Sequence, residues 1–140
     1  MTGHRSIGQD FCQARPSFTL NHLLPRLEGM SPESQQWPLE FGALAAAPQS
    51  HRLMMENEQV RVLEVIIQPG QTEPKHHHCY PSVMVVDQPA NIVYRRADNS
   101  TFPVHPAPHT KTEWLNPEPL HAIENVDTKI YHAVRVELKR

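Results

Sequence analysis

Three consecutive histidines lie in the stretch Pro74-Lys75-His76-His77-His78, and one more begins the stretch His121-Ala122-Ile123-Glu124-Asn125. In an extended segment alternate side chains share a face, so His76 and His78 point to one side and the histidine between them points to the other. Imidazole is a good ligand for zinc, copper, iron and nickel. The pattern predicts a metal site with three nitrogen ligands, which His121 closes from a second strand.

The composition limits the class of protein. The chain has 140 residues, with 13 Lys and Arg against 15 Asp and Glu, and this length suits one domain with a buried core. There is no basic stripe of the kind that binds nucleic acid, and no apolar run approaches the roughly 18 residues of a membrane span. The polar residues 1–5 do not resemble a secretory signal. We therefore expect neither nucleic acid nor a membrane as a partner.

The cysteines bear on the cellular compartment. Cys12 and Cys79 are the only two, and they lie far apart in different contexts. Two such cysteines do not indicate a disulfide framework. We therefore expect a reducing compartment, and with it a cytoplasmic location.

Fourteen prolines stand against five glycines. Since proline is restricted to turns, edges and strand starts, this balance argues against long helices. Pro16, Pro25 and Pro32 interrupt the only apolar stretch near the N-terminus. We expect residues 1–36 to form an irregular, weakly ordered N-terminal arm and residues 37–140 to form the domain.

Short apolar runs rich in β-branched residues follow from His51 onward. They are separated by turn residues, and a loop punctuated by prolines is predicted at residues 101–109. The predicted strands are residues 53–55, 60–67, 82–86, 91–96, 110–115, 120–125 and 130–138. About eight short strands with almost no helical period predict an all-β antiparallel sandwich or barrel.

The histidine motifs, taken in this order, resemble those of the cupins, specifically small single-domain RmlC-like cupins. In the first cupin motif a glycine precedes His-x-His, as Gly70 precedes His76 and His78 here. In the second motif a histidine is followed by an asparagine, and His121 with Asn125 fits. The resemblance covers about residues 45–140. It implies a double-stranded β-helix, or jelly-roll, barrel.

The sequence also departs from the cupin pattern. Ser82 or Val83 stands where the family has a glutamate ligand, and the closing glycine of the first motif is replaced near Pro89. The glycine before the second-motif histidine is replaced within residues 117–119. The usual set of three histidines and one glutamate therefore lacks its carboxylate, and a three-histidine site remains.

The resemblance implies a divalent transition metal on His76, His78 and His121. Three neutral imidazoles leave the double charge of the metal uncompensated, which favours anionic substrates and lowers the pKa of bound water. Iron, zinc, nickel and manganese all remain open, because affinity alone does not set selectivity in the cell. The alternative is a barrel without metal, in which the histidines are ordinary polar lining. The candidate pocket-lining residues are Tyr80, Ser82, Met84, Tyr94 and Trp114.

Other polar residues are assigned simpler roles. Glu113 and Glu124 lie near the second motif and would serve as a general base if buried, although exposed strand glutamates are the simpler account. His77 and Cys79 fall on the face away from the ligands by the same parity. The histidines expected at the surface, in solvated loops or in packing contacts are His51, His105, His109 and His132.

Three functions remain open at this point. Three-histidine cupins include dioxygenases, so the resemblance implies O₂-dependent cleavage of a small organic molecule. A non-catalytic cupin that binds a small molecule is the first alternative. A metal-free isomerase-type cupin is the second, with Tyr80, Tyr94 and Arg96 available as acid, base or anchor. The resemblance also implies a homodimer, in which the apolar residues 60–67 are buried on both faces.

Overall fold

The computed structural model describes residues 37–139, and the predicted arm at residues 1–36 lies outside them. The described chain begins with a 3₁₀ turn, Leu39–Phe41, and a short helix α1, Ala43–Ala46. Nine strands follow within the described range. They are β1 (His51–Glu56), β2 (Val60–Ile67), β3 (His76–His78), β4 (Ser82–Gln88), β5 (Ile92–Arg96), β6 (Thr101–Val104), β7 (Lys111–Leu115), β8 (Glu118–Asn125) and β9 (Tyr131–Leu138).

The strands form two antiparallel sheets that face each other. One sheet has five strands in the order β1-β2-β9-β4-β7, and the other has four in the order β3-β8-β5-β6. Neighbours in the sheets are mostly distant in sequence, so each sheet is completed by strands from both halves of the domain. This crossing places the ends of β1, β3, β8 and β9 around one common interior.

The interior is apolar at one end and charged at the other. Strand β9 alternates between buried and half-buried residues, and its buried face carries Tyr131, Ala133, Arg135 and Glu137 in turn. Tyr131 and Ala133 belong to the apolar core with residues from both sheets, where full burial of each large aliphatic side chain stabilises the fold by about 1.5–3 kcal/mol. Arg135 and Glu137 carry charge into the other end, and this end holds the histidines.

Two turn residues secure the apolar end of the barrel. Gly70 has φ +77°, a left-handed conformation that glycine adopts without strain, and its N–H donates to the carbonyl of Asn125. The Asn125 side chain is fully buried, and its Nδ2 donates to the carbonyls of Ile67 at 2.9 Å and Lys129 at 2.8 Å. Gly70 and Asn125, which belong to the cupin-like motifs but are not histidines, therefore connect the end of β2 to β8.

One expectation about the strands changes with the structure. The predicted loop at residues 101–109 contains strand β6, and Pro103 is tolerated there because β6 is an edge strand. Strand β2 lies between β1 and β9, and from Leu63 onward its residues alternate between buried and half-buried. Burial of both faces was expected in a homodimer, and it stays a prediction. The edge strand β1 carries three exposed apolar side chains in a row, Leu53, Met54 and Met55.

The segment before the barrel packs against β3. Gly42 forms a parallel bridge with His77, and Trp37 is buried with an 8% exposed fraction. The C-cap residue of α1 is Ala47, whose carbonyl accepts the backbone N–H of His51, so the start of β1 is fixed by the helix. No helix within residues 37–139 is long and apolar enough to cross a membrane.

Candidate metal centre

The structure brings the three predicted ligands together at the charged end of the interior. Strands β3 and β8 are antiparallel neighbours, and His76 lies opposite His121. The ring centroid of His76 lies 5.1 Å from that of His78 and 4.6 Å from that of His121, and the last pair is 5.7 Å apart. Each of the three residues is at most 3% exposed.

Local hydrogen bonds fix the orientation of two of these rings. The Nδ1 of His76 donates to the carbonyl of Pro74 at 2.9 Å, and the Nδ1 of His121 donates to the carbonyl of Pro119 at 2.7 Å. A carbonyl only accepts, so Nδ1 carries the proton in both rings and Nε2 keeps its lone pair. Metal-bound histidines are usually held in this way by the nitrogen that does not bind the metal.

The third ring is held by a carboxylate. His78 donates from Nδ1 to Oε1 of Glu137 at 2.8 Å, and Glu137 is fully buried. The other oxygen of Glu137 accepts from Nε of Arg61 at 2.5 Å, and Nε of Arg135 lies 3.9 Å from Oε1. Two guanidinium groups thus compensate the negative charge of Glu137. Because the hydrogen bond to Glu137 uses Nδ1 of His78, Nε2 of this ring remains able to bind a metal.

A fourth histidine, His51, belongs to the same cluster. It begins β1, is 4% exposed, and its ring centroid lies 4.6 Å from that of His76 and 5.3 Å from that of His78. One ligand atom of each of these three histidines lies within 4.8 Å of the others, and a second such group joins His78, Glu118 and His121. The sequence expectation for His51 was a surface or packing role. The inward position of His51 follows from the pairing of β1 with β2, which sets His51 opposite the buried Val65.

Burial keeps the histidines neutral. Desolvation lowers the pKa of His76 to about 2 and that of His51 to about 4. The pKa of His78 is also held well below 6.5, first by desolvation and then by the nearby charge of Arg135. Desolvation likewise lowers the pKa of His121. All four rings therefore present lone pairs at neutral pH, which metal binding requires.

Two carboxylates that the sequence did not single out lie beside the histidines. Glu73 is 4% exposed and accepts a hydrogen bond from Oγ of Ser50 at 2.7 Å, and its Oε2 lies 3.8 Å from Nε2 of His76. Desolvation raises the pKa of Glu73 to about 7. Glu118 accepts from Nη1 of Arg135 at 2.6 Å, and its Oε2 lies 3.9 Å from Nε2 of His121. Both lie in segments that read as irregular in the sequence.

A cavity of about 530 Å³ opens from the histidines toward solvent, which is a typical size for a small-molecule site. Its floor is formed by the four histidines, Glu73, Glu118 and Arg135. Its walls are mainly apolar side chains of the core. Tyr94 stacks on His121 with ring centroids 5.0 Å apart and planes 5° from parallel, and Phe102 covers the other side of the tyrosine.

Solved structures with this architecture identify the fold. A cupin domain from Bordetella pertussis Tohama I is 18% identical, and the match covers 64% of this chain and 92% of that chain with a TM-score of 0.57. The chain has the cupin fold. An RmlC-like cupin family protein from Methanocaldococcus jannaschii is similar at 12% identity, over 63% of this chain and 77% of that chain, with a TM-score of 0.50. The predicted double-stranded β-helix is confirmed.

A third similar structure is an uncharacterized conserved protein with a double-stranded β-helix domain from Klebsiella pneumoniae. It is 15% identical over 64% of this chain and 75% of that chain, with a TM-score of 0.50. No family model matches the sequence, and no curated protein matches it either. The likeness to solved cupins therefore shows the fold alone.

No carboxylate lies at the position where the first cupin motif has its glutamate ligand. Ser82 lies on β4 opposite Glu137 of β9, it is fully buried, and its Oγ has no hydrogen-bond partner in the described part of the chain. It therefore faces the interior without lining the cavity. Besides Glu137 on β9, the carboxylates near the histidines come from the loop before β3 and from the start of β8.

The other predicted lining residues divide into two groups. Met84 and Tyr94 line the cavity. Tyr80 does not, because it packs with Trp37 outside the barrel end, where Arg61 covers its ring. Trp114 is 56% exposed, because the alternation of β7 turns its neighbours inward and points the indole to solvent.

The two candidate bases near the second motif are not at the cluster. Glu113 lines the cavity, but its side chain is 33% exposed and pairs with Lys111 at 2.8 Å. Glu124 is half-buried and is not part of the lining. Among the remaining histidines, His105 lines the cavity and His132 pairs at the surface with Asp87.

His77 and Cys79 point away from the ligands, but neither is exposed. His77 donates from Nε2 to the carbonyl of Pro38 at 2.6 Å and meets the Trp37 ring edge-on at 5.2 Å. Cys79 is 1% exposed and disulfide-bonded. The sequence indicated no disulfide framework, and Cys79 nevertheless forms a disulfide. The reducing, cytoplasmic location stays a prediction.

Proposed function

We propose that this protein binds one divalent transition metal through His76, His78 and His121 and holds a small organic molecule in the cavity above it. The observation that supports the metal is the state of the rings. Each Nδ1 is engaged by an acceptor, and each Nε2 faces the same interior with its lone pair. The ring centroids lie 4.6–5.7 Å apart, so the three rings converge on one region of the cavity.

The surroundings are suited to a charged centre. The positive charges of Arg135 and Arg61 are balanced by the negative charges of Glu118 and Glu137. Because the imidazoles are neutral, the positive charge of a bound ion would remain available to attract a ligand. The apolar walls of the cavity exclude water from the rest of the ligand. Tyr94 holds the His121 ring in its plane. These features favour a small molecule with an anionic or oxygen-bearing head and an apolar body.

The reaction we propose is the O₂-dependent cleavage of such a molecule, as in the three-histidine dioxygenases that the motifs resemble. A bound redox metal supplies the one-electron chemistry that O₂ requires. The chain itself binds the substrate, orients it against the histidines and keeps bulk water out. Iron and manganese fit this reaction, whereas zinc or nickel would fit hydrolysis or binding.

The second candidate is a metal-free, isomerase-type cupin, and Glu73 is the observation that favours it. Burial raises the pKa of this carboxyl to about 7, which is near the optimum for proton transfer at neutral pH. Tyr94 lines the cavity as a possible proton donor and Arg96 lies at its rim. Tyr80, which sequence reasoning had offered for this role, packs outside the cavity.

Elemental analysis of protein purified without an affinity tag tests the metal. We expect about one metal per chain in the wild type and almost none in the His76→Ala, His121→Ala double variant. The matched control is His132→Ala, which removes a histidine at the surface and should leave the metal content unchanged. No metal after reconstitution with Fe²⁺ or Zn²⁺ would reject the metal centre and leave the isomerase or a binding protein. The metal found then directs an O₂-consumption screen.

The homodimer and the cytoplasmic location stay predictions. The edge strand β1, with Leu53, Met54 and Met55 exposed, supports pairing of two chains, since edge strands with apolar side chains are usually covered. A monomer by light scattering at micromolar concentration would contradict the dimer. Small-molecule binding, with neither nucleic acid nor membrane as a partner, likewise stays a prediction.

A further inference from the structure

We infer that His51 is a fourth metal ligand, so that an imidazole from the opposite sheet replaces the carboxylate that the cupin motif lacks here. This inference rests on the proposed function, since it concerns the same centre. It also goes beyond the motifs, because His51 precedes both of them in the sequence.

The position of His51 in the fold is the first argument. His51 lies on β1 of the five-stranded sheet, whereas His76, His78 and His121 lie on the four-stranded sheet. Its ring therefore meets the others from across the interior. Nitrogen atoms that each lie about 2.1 Å from one ion in tetrahedral geometry are about 3.4 Å apart. The ligand atoms of His51, His76 and His78 lie within 4.8 Å of one another, and His121 shares a second such group with His78 and Glu118. Side-chain shifts of about an ångström would therefore bring the four rings into range of one ion.

The hydrogen bonds of the ring are the second argument. Nδ1 of His51 lies 3.1 Å from the carbonyl of Ala47 and 3.1 Å from Oγ of Ser50. The carbonyl at the end of α1 only accepts, so Nδ1 carries the proton and Nε2 keeps the lone pair. No residue of the described range 37–139 donates a hydrogen bond to that Nε2. His51 is therefore held by the same kind of contact that orients His76 and His121.

The crowding of polar rings is the third argument. Four imidazoles, each at most 4% exposed, line the inner end of one cavity. A packing role alone is served better by an apolar side chain of similar volume. The opposing position on β4 offers only Ser82, whose hydroxyl is fully buried, so the centre has no carboxylate from that strand to complete it.

The number of imidazole ligands tests the inference. Full-length apoprotein is loaded with one equivalent of Co²⁺, and X-ray absorption counts the coordinated imidazoles in the wild type and in His51→Gln. We expect four in the wild type and three in the variant. Competition with a chelator should show Co²⁺ affinity in His51→Gln reduced by more than the roughly 10–100-fold typical of losing an outer-shell partner. His132→Gln, a matched substitution at the surface, should leave both the count and the affinity unchanged.

Each possible result has a distinct meaning. Three imidazoles in the wild type, or the same count and affinity in His51→Gln, would overturn the fourth ligand and leave the three-histidine centre intact. A wild type that takes up no Co²⁺ would overturn the proposed function itself. If His51→Gln does not fold, as judged by circular dichroism, the count in the wild type alone decides between three and four.

Discussion

Acidification should destabilise the metal-free protein. Burial holds the pKa values of His51, His76, His78 and His121 below 6.5 in the folded chain. In the unfolded chain the same side chains titrate near their ordinary pKa of about 6.5. Below that pH the unfolded state binds more protons than the folded state. The free energy of unfolding must therefore fall as the pH falls.

The size of the effect follows from the individual pKa values. A histidine that stays neutral in the fold lowers the free energy of unfolding by about 2 kcal/mol between pH 7 and pH 5. The folded-state pKa values of His51, about 4, and of His76, about 2, both lie below this window, so together they lower it by about 4 kcal/mol. Glu73 acts in the opposite direction, because its pKa is raised from 4.5 to about 7, and it offsets about 2 kcal/mol. His78 and His121 add to the loss.

We therefore expect a net loss of at least about 2 kcal/mol between pH 7 and pH 5, a large part of the roughly 5–15 kcal/mol that stabilises a typical domain. Urea unfolding of chelator-treated protein at pH 5, 6 and 7 measures it. His51→Gln should reduce the pH-dependent loss by about 2 kcal/mol, and Glu73→Gln should increase it by a similar amount. A pH dependence that neither substitution alters would refute the reasoning, as would a protein that is more stable at pH 5.

Three further predictions concern individual contacts. Glu137→Gln should weaken Co²⁺ binding by about 10–100-fold in a chelator competition, because it weakens the hydrogen bond that orients His78; unchanged affinity would show that the bond has no such role. Asn125→Ala should lower the free energy of urea unfolding at pH 7 by about 2 kcal/mol, since two buried carbonyls lose their donor; a change below about 0.5 kcal/mol would contradict this account. The carboxylate of Asp87, as a hydrogen-bond acceptor, raises the pKa of His132, so His132 stabilises the fold below pH 6.5 and this contribution disappears as the pH rises through its folded pKa. His132→Ala should therefore lose stability at pH 6 relative to pH 9, and equal losses at both values would refute the ion pair.

The sequence predicted those parts of the site that depend on local pattern. His76 and His78 share a face because β3 is extended, and parity alone settles that. The proximity of His76 and His78 to His121 was predicted from the order of the two motifs, which resembles that in cupins. The asparagine of the second motif, Asn125, orders the end of β8 through its side-chain bonds to the carbonyls of Ile67 and Lys129.

The parts that were missed depend on register and on segments without periodicity. His51 faces inward because of the pairing of β1 with β2, and a bulge between Leu53 and Met55 interrupts that register. Glu73 lies in the loop before β3, where no alternation exists to assign a face. Trp114 was placed in the cavity because it is aromatic, but the pairing of β7 with β4 sets Trp114 opposite Val83 on the outer face. Hydrophobicity cannot reveal this, since the inward neighbour is the charged Glu113.

The support of β3 has a consequence for the boundaries of the functional unit. On one side β3 pairs with β8, and on the other it contacts residues 37–42 through the bridge to Gly42 and the bond from His77 to Pro38. The likeness to cupins in sequence begins only near residue 45. A fragment trimmed to that likeness would keep every strand of the barrel and lose the lateral contacts of the strand that carries two candidate ligands. The shortest fragment that keeps these contacts should therefore begin no later than Trp37, several residues before the segment that resembles the cupins.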